Sequence, residues 1–284
     1  MDFKSIKSEF PIFKNKINGK PLIYLDNANS SQKPKSVIDR ISKFYSKEFS
    51  NIGRSVHSLA VTATNRFEET RDLMKEYINA KSREEIIFTK NATEAINLVA
   101  STYGEKFINS GDEILITELE HHANYVPWHF LRERKGAIIK FAKCNDKGEV
   151  DIDEIKKLIT NKTKIISITH LSNVTGFIMP VKNIVDLARE KKIPVLVDGC
   201  QGAPHLEIDM QELGCDFYAI SCHKMYGPTG VGVLYAKKKW LDVLPPYQGG
   251  GGMIEEVKKD SITFPGSPTK YEAGTLQTAE VVGF

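Results

Sequence analysis

The feature that most restricts this chain is an alternation of two patterns. Short apolar runs recur along most of its length: Ile86-Ile87-Phe88, Ile114-Leu115-Ile116, Ala137 to Phe141, Ile165 to Ile168, Val195-Leu196-Val197, Phe217 to Ile220 and Gly232 to Tyr235. Consecutive apolar residues predict strands covered on both faces, because a strand with one wet face alternates. Between several of these runs the spacing becomes that of a helix. Ile96, Val99, Ala100, Tyr103 and Phe107 form one apolar stripe, and Val181, Ile184, Val185 and Ala188 form a shorter one. A longer helix near His57 to Ile78 carries Ala60, Ala63, Phe67, Met74 and Tyr77 on one face. Strands alternating with helices predict an α/β fold with a mostly parallel central sheet and helices on both faces. Ligands of such folds bind beyond the carboxyl ends of the strands, which is where chemistry is expected.

Composition narrows the partner. With 39 Lys+Arg against 36 Asp+Glu the 284 residues carry +3, too small an excess to imply a nucleic-acid partner. No apolar run approaches the roughly 18 residues that span a bilayer, and the charged start Met1-Asp2-Phe3-Lys4 is unlike a signal peptide. A cytoplasmic protein acting on a small molecule is expected, with no membrane partner. Cys144, Cys200, Cys215 and Cys222 include no CxxC pair and read as buried or incidental thiols. The adjacent His121 and His122 would face opposite ways in an extended segment, unlike a helical zinc pair, so no metal is expected. Neither a Walker A sequence nor GxGxxG is present, which argues against a nucleotide. Gln248-Gly249-Gly250-Gly251-Gly252 and the polar segment to Lys270 read as a mobile loop over a site or interface, or as a surface excursion. Thr278 to Phe284 permits a helix that the sequence leaves unfinished, so the chain is expected to be a piece of a longer one.

Two predicted strand ends carry reactive groups. The run Val195-Leu196-Val197 ends in Asp198 and continues as Gly199-Cys200-Gln201, while Phe217 to Ile220 ends in Ser221-Cys222-His223-Lys224. Taken singly, Asp198 reads as a helix cap and Lys224 as a solvated loop lysine. Together, at the ends of two strands of one sheet, they would face the same crevice. Thr89-Lys90-Asn91-Ala92-Thr93-Glu94 joins another predicted strand to a helix beginning near Thr93, and free amides at a helix N-terminus attract anions. Thr93 is also a candidate N-cap.

Val197 to Gln201 and Ser221-Cys222-His223-Lys224-Met225-Tyr226-Gly227-Pro228-Thr229-Gly230 resemble the cofactor segments of class V aminotransferase-type pyridoxal-phosphate (PLP) enzymes, the second in the form seen in cysteine desulfurases. Glu120-His121-His122-Ala123-Asn124 with Val126-Pro127-Trp128, and Tyr24 to Ala28 with Gln32-Lys33-Pro34, are similar to the Suf-type (group II) cysteine desulfurases and their selenocysteine lyase relatives. Matching segments run from about residue 10 to residue 281.

The resemblance implies the fold of the type I PLP-dependent transferases. In it, residues 1–20 form an N-terminal arm, 21–270 the large PLP-binding domain, and 271–284 the start of a connection to a small C-terminal domain that is largely missing. It implies that Lys224 is the amine that bonds the cofactor, that Asp198 keeps the ring nitrogen protonated, and that Gln201 donates to the phenolic oxygen. His121 would stack on the ring and move protons, with His122 in a packing role, and Asn173 would contact cofactor and substrate carboxylate. Ala92, Thr93, Ser221 and His223 are implied at the phosphate, together with Thr275 from the neighbouring subunit of a homodimer. The implied reaction takes sulfur from L-cysteine, giving L-alanine and an enzyme persulfide for a Suf sulfur acceptor and iron-sulfur cluster assembly. The cysteine that would carry the persulfide matches no residue here. The chain departs from the family pattern at Gly53, where a histidine is usual, at Cys200 and Cys222, where small residues are usual, and at Leu276-Gln277, where Pro-Asn is usual. Selenocysteine lyase, another class V aminotransferase or epimerase, and a non-catalytic PLP-binding fragment stay open as alternatives.

Overall fold

A computed structural model describes residues 2–53 and 55–284; Arg54, within the segment that carries the Gly53 departure, lies outside the described residues. All seven apolar runs form strands: β1 (Ile86–Thr89), β2 (Glu113–Thr117), β3 (Ile138–Ala142), β4 (Thr163–Thr169), β5 (Val195–Asp198), β6 (Phe217–Ser221) and β7 (Gly232–Ala236). Among the described residues they make one seven-stranded sheet in the order β1-β7-β6-β5-β4-β2-β3. The pairs from β3 through β2, β4 and β5 to β6 are parallel, while β7 runs antiparallel to both β6 and β1. Only β7 is reversed, so the carboxyl ends of β1, β2, β4, β5 and β6 share one edge.

Helices cover both faces, and the period of two decides which residue meets which. The main helices are α1 (Ser58–Tyr77), α2 (Ala92–Val99), α3 (Val126–Lys135), α4 (Val181–Glu190) and α5 (Thr278–Gly283). Ile86, Phe88, Leu115, Val195 and Val197 share one core with Phe67 and Met74 of α1, Ile184 and Val185 of α4, and Val281 of α5. Their strand neighbours Ile87, Ile114, Ile116 and Leu196 share the other with Ile96 and Val99 of α2 and with Trp128 and Leu131 of α3. Each fully buried Ile, Leu or Val contributes about 1.5–3 kcal/mol relative to exposure.

Three local expectations are corrected. β3 is not covered on both faces: Ile138 is 46% and Phe141 38% exposed, because β3 is an edge strand paired only with β2. Tyr77 does not join the buried face of α1 but is half exposed, with its hydroxyl donating to the Ala203 carbonyl at 2.8 Å; the polar tip has found a partner at the surface. The cap of α2 is Asn91, whose Oδ1 accepts from the Glu94 amide at 2.9 Å, so Thr93 lies inside the first turn. The segment after the glycines contains a small antiparallel hairpin, Glu256–Val257 with Ile262–Thr263. None of the helices among the described residues is long and apolar enough to cross a membrane.

Candidate functional site

Beyond the carboxyl ends of β1, β4, β5 and β6 lies a cavity of about 250 Å³, near the lower end of the range for small-molecule sites. Ala92, Thr93, His121, Asn173, Asp198, Gln201, Ser221, His223 and Lys224 all line it. His122 does not. Thr275 does not either: it lines a separate cavity of about 440 Å³ with Gly53, Gly252 and Glu272.

Sheet register brings the first nine together. Thr169 at the end of β4 pairs with Asp198, and Ser221 at the end of β6 lies across Gly232 from Thr89. The turn after β1 therefore crosses close above β7. A Cβ on Gly232 would sit 2.5 Å from the Asn91 backbone, so glycine is what lets the turn descend. Ser221 Oγ accepts from the Ala92 amide at 2.9 Å and ties the start of α2 to the end of β6. Asp198 is 4% exposed; Oδ1 accepts from the Cys200 amide at 3.0 Å, and the Cys200 thiol also hydrogen-bonds to the carboxylate. The loop that follows lies flat on Tyr218, whose ring would be 1.9 Å from a Cβ at position 199. Beneath it His170 Nδ1 and Tyr218 Oη are 2.8 Å apart, and burial pushes His170 down to about 4.

The N-terminal segment closes one side. Gln201 Nε2 donates to the Ala28 carbonyl at 2.6 Å, and the His223 carbonyl accepts from Ser31 Oγ at 2.9 Å and Lys33 Nζ at 2.8 Å. Burial, aided by the nearby Lys224 and Lys33 charges, lowers His223, while burial lowers Lys33. Lys224 is half-buried, and its ammonium makes no hydrogen bond or ion pair among the described residues. Two residues on, Tyr226 takes φ 64°, a left-handed backbone rare outside glycine, with its amide donated to Ser31 Oγ at 2.8 Å. His121 caps a short 3₁₀ turn over His122–Asn124; its Nδ1 accepts from the Ala123 amide at 3.1 Å, which puts the proton of the neutral ring on Nε2.

Sequence reasoning left out Asn29, Asn91 and Thr169, which also line the cavity, although each lies in or beside a segment it singled out. It also passed over Glu120. Burial pushes this carboxyl up to about 8 against three hydrogen bonds that favour the anion, and the Asp198 charge adds to the rise. Nor was Glu272 assigned. It accepts from Arg71 at 2.8 and 2.9 Å and from the Phe88 amide at 2.7 Å, anchoring the segment that leads to Thr275.

Residues 23–284 match the family model "Aminotransferase class-V". A probable cysteine desulfurase of Mycolicibacterium paratuberculosis is 49% identical over 282 residues, 99% of this chain and 41% of that protein. A cysteine desulfurase of Wigglesworthia glossinidia brevipalpis is 49% identical over 282 residues, 99% of this chain and 69% of its own length. Among solved structures, the cysteine desulfurase CsdA of Escherichia coli superposes with a TM-score of 0.91 at 37% identity, covering 100% of this chain and 70% of CsdA. The chain spans less than half the length of the first curated relatives it matches, 41% and 45%. The chain belongs to the class-V aminotransferase family, whose members, the cysteine desulfurases among them, depend on pyridoxal 5'-phosphate.

The donor set fits that cofactor. A buried carboxylate suits a protonated ring nitrogen, an unpaired amine suits an aldehyde, and the Thr93 amide with the hydroxyls at the start of α2 suits a phosphate.

Proposed function

We propose that these residues are the cofactor-binding part of a Suf-type (group II) L-cysteine desulfurase. The observation that carries the reading is the single cavity lined by Lys224, Asp198, His121, Gln201 and Asn173, the residue types that PLP chemistry needs within reach of one small ring. PLP, when bound, supplies an aldehyde that captures amines and a protonated ring that draws electrons from the neighbouring bonds. Lys224 offers its amine from the end of β6. The Asp198 carboxylate would hold the proton at the ring nitrogen, Gln201 would donate to the phenolic oxygen, and His121 would lie beside the ring and offer Nε2 for moving a proton. Thr93, Ser221 and His223 would gather the phosphate at the start of α2, beside Ala92, whose own amide is held by Ser221 Oγ. Asn173 holds the carboxylate of L-cysteine.

In this reading none of the four cysteines accepts sulfur. Burial pushes the thiols of Cys200 and Cys222 well up and that of Cys215 up to about 12, and a thiol held protonated is a poor nucleophile. The persulfide cysteine of the complete enzyme then lies outside residues 1–284, in a C-terminal domain reached through 271–284, after the arm of 1–20 and the PLP-binding domain of 21–270. Thr275 serves the phosphate of a second copy in a homodimer, and the product sulfur passes to a Suf acceptor for iron-sulfur cluster assembly in the cytoplasm.

Borohydride reduction of the PLP-loaded chain followed by peptide mass mapping tests the reading. A pyridoxyl adduct on Lys224 is expected, and an adduct on another lysine overturns the assignment. Reading the coding frame past codon 284 tests the wider proposal, which requires a further Cys.

A further inference from the structure

Glu120 has no role in the chemistry above, yet it joins three parts of the site wall. Oε1 accepts from Thr117 Oγ1 at 2.6 Å and from the Thr169 amide at 2.9 Å, and Oε2 accepts from Asn124 Nδ2 at 2.6 Å. Thr117 and Thr169 are the last residues of β2 and β4. Asn124 is fully buried, and its Oδ1 in turn accepts from Ser167 Oγ at 2.5 Å and Trp128 Nε1 at 3.3 Å. Between Glu120 and Asn124 runs the turn that carries His121. That imidazole is exposed and has one hydrogen bond to the protein, from the Ala123 amide to Nδ1. A ring so loosely packed takes its direction from the backbone beneath it, and that backbone is tied to the sheet by the side chains on either side.

We infer that Glu120 is a positioning residue: with Asn124 it pins the turn to the ends of β2 and β4 and so holds the His121 imidazole against the cavity, with Nε2 left available to a ligand. The consequence for a bound cofactor rests on the functional reading above; the pinning of the turn does not. No other side-chain hydrogen bond of the described turn links both strands, so the inference predicts a specific dependence on the donor and acceptor order between positions 120 and 124. Glu120→Gln turns an amide NH₂ against Asn124 Nδ2, because the Thr169 amide requires the oxygen on the other side. Adding Asn124→Asp returns an acceptor there while keeping acceptors for Ser167 and Trp128.

The test compares wild type, Glu120→Gln, the Glu120→Gln/Asn124→Asp double variant and His121→Ala, by amide exchange without cofactor and by the absorption band of added PLP. In Glu120→Gln the Ala123 amide should exchange at least about tenfold faster, as expected for the loss of one hydrogen bond. The PLP band should move to where His121→Ala puts it, and the double variant should restore both. The inference is overturned if Glu120→Gln lowers the melting temperature but leaves Ala123 exchange and the band at wild-type values, or if the double variant folds and restores neither. Should Glu120→Gln not fold, Thr117→Val removes the donor to Oε1 together with the acceptor of the Leu119 amide, and Thr117→Ser keeps both: faster Ala123 exchange in Thr117→Val but not in Thr117→Ser supports the inference, and unchanged exchange in both overturns it. A wild-type chain that binds no PLP would sink the functional reading, while the exchange measurement would still decide the role of Glu120.

Discussion

The Arg71–Glu272 pair and the Lys224–Asp198 cavity both take charge out of water, and they distribute hydrogen bonds in opposite ways. Arg71, 1% exposed, gives its guanidinium donors to Glu68, Glu272 and the Ile86 carbonyl and lies over the Phe88 ring at 4.7 Å. Glu272 accepts the Phe88 amide as well. In the cavity, Asp198 has only the Cys200 amide and thiol, and the Lys224 amine has no hydrogen-bond or ion-pair partner among the described residues. A saturated pair can hold α1, β1 and the segment before Thr275 together but has nothing left to offer a ligand. A carboxylate and an amine with spare valences add little to stability and keep their chemistry available.

The sharpest break of this comparison comes from exchanging the losses. Lys224→Ala should remove the borohydride-fixed adduct down to background while moving the melting temperature by no more than about 2 °C, since no internal bond is lost. A large drop in stability would make Lys224 a structural residue. Arg71→Met should do the reverse and cost about 3–5 kcal/mol in urea unfolding, because Glu272 would be left buried and unpaired. Adding Glu272→Gln, which keeps an acceptor for the Phe88 amide, should recover part of that loss. If the double variant is as unstable as the sum of the singles, the pair is not the unit described.

A smaller effect separates the scaffold beneath the cavity from its lining. His170 is held neutral down to about 4 by burial, against roughly 6.5 when unfolded. The unfolded chain therefore takes up a proton first, so this stability is complete above about pH 6.5 and is lost as pH falls toward 4, at up to about 1.4 kcal/mol per pH unit. Urea titrations from pH 7 to 4 should show a flatter dependence for His170→Gln, and equal slopes would remove His170 from the account. The smallest change is expected for Cys200→Ala, which should leave stability within about 1 kcal/mol and the Lys224 adduct intact. Loss of the adduct would mean that the thiol takes part in the site.

Much of this was readable in advance because the signals are local. Consecutive apolar residues marked all seven strands, and the residues at the ends of β5 and β6 resembled a known cofactor site closely enough to be named one by one. What local spacing cannot report is which element becomes an edge or which distant residue becomes a partner. Ala137 to Phe141 looks like a central strand, yet β3 pairs on one side only. Arg71 and Glu272 are far apart in sequence and neither carries a pattern, so their pairing exists only once β1 lies between α1 and the last segment. Glu120 looks like a charged loop residue, and only the adjacency of β2 and β4 surrounds it with Thr117, Thr169 and Asn124.

The sequence by itself therefore determined the α/β class, the strands and the kinds of side chain at their ends, since these follow from residue type and short-range periodicity. The tertiary structure decided that nine of the ten assigned residues share one cavity and that Thr275 faces another. The reason is that strand order and register, with one reversed strand letting the Asn91 turn settle over Gly232, set distances that no single segment encodes.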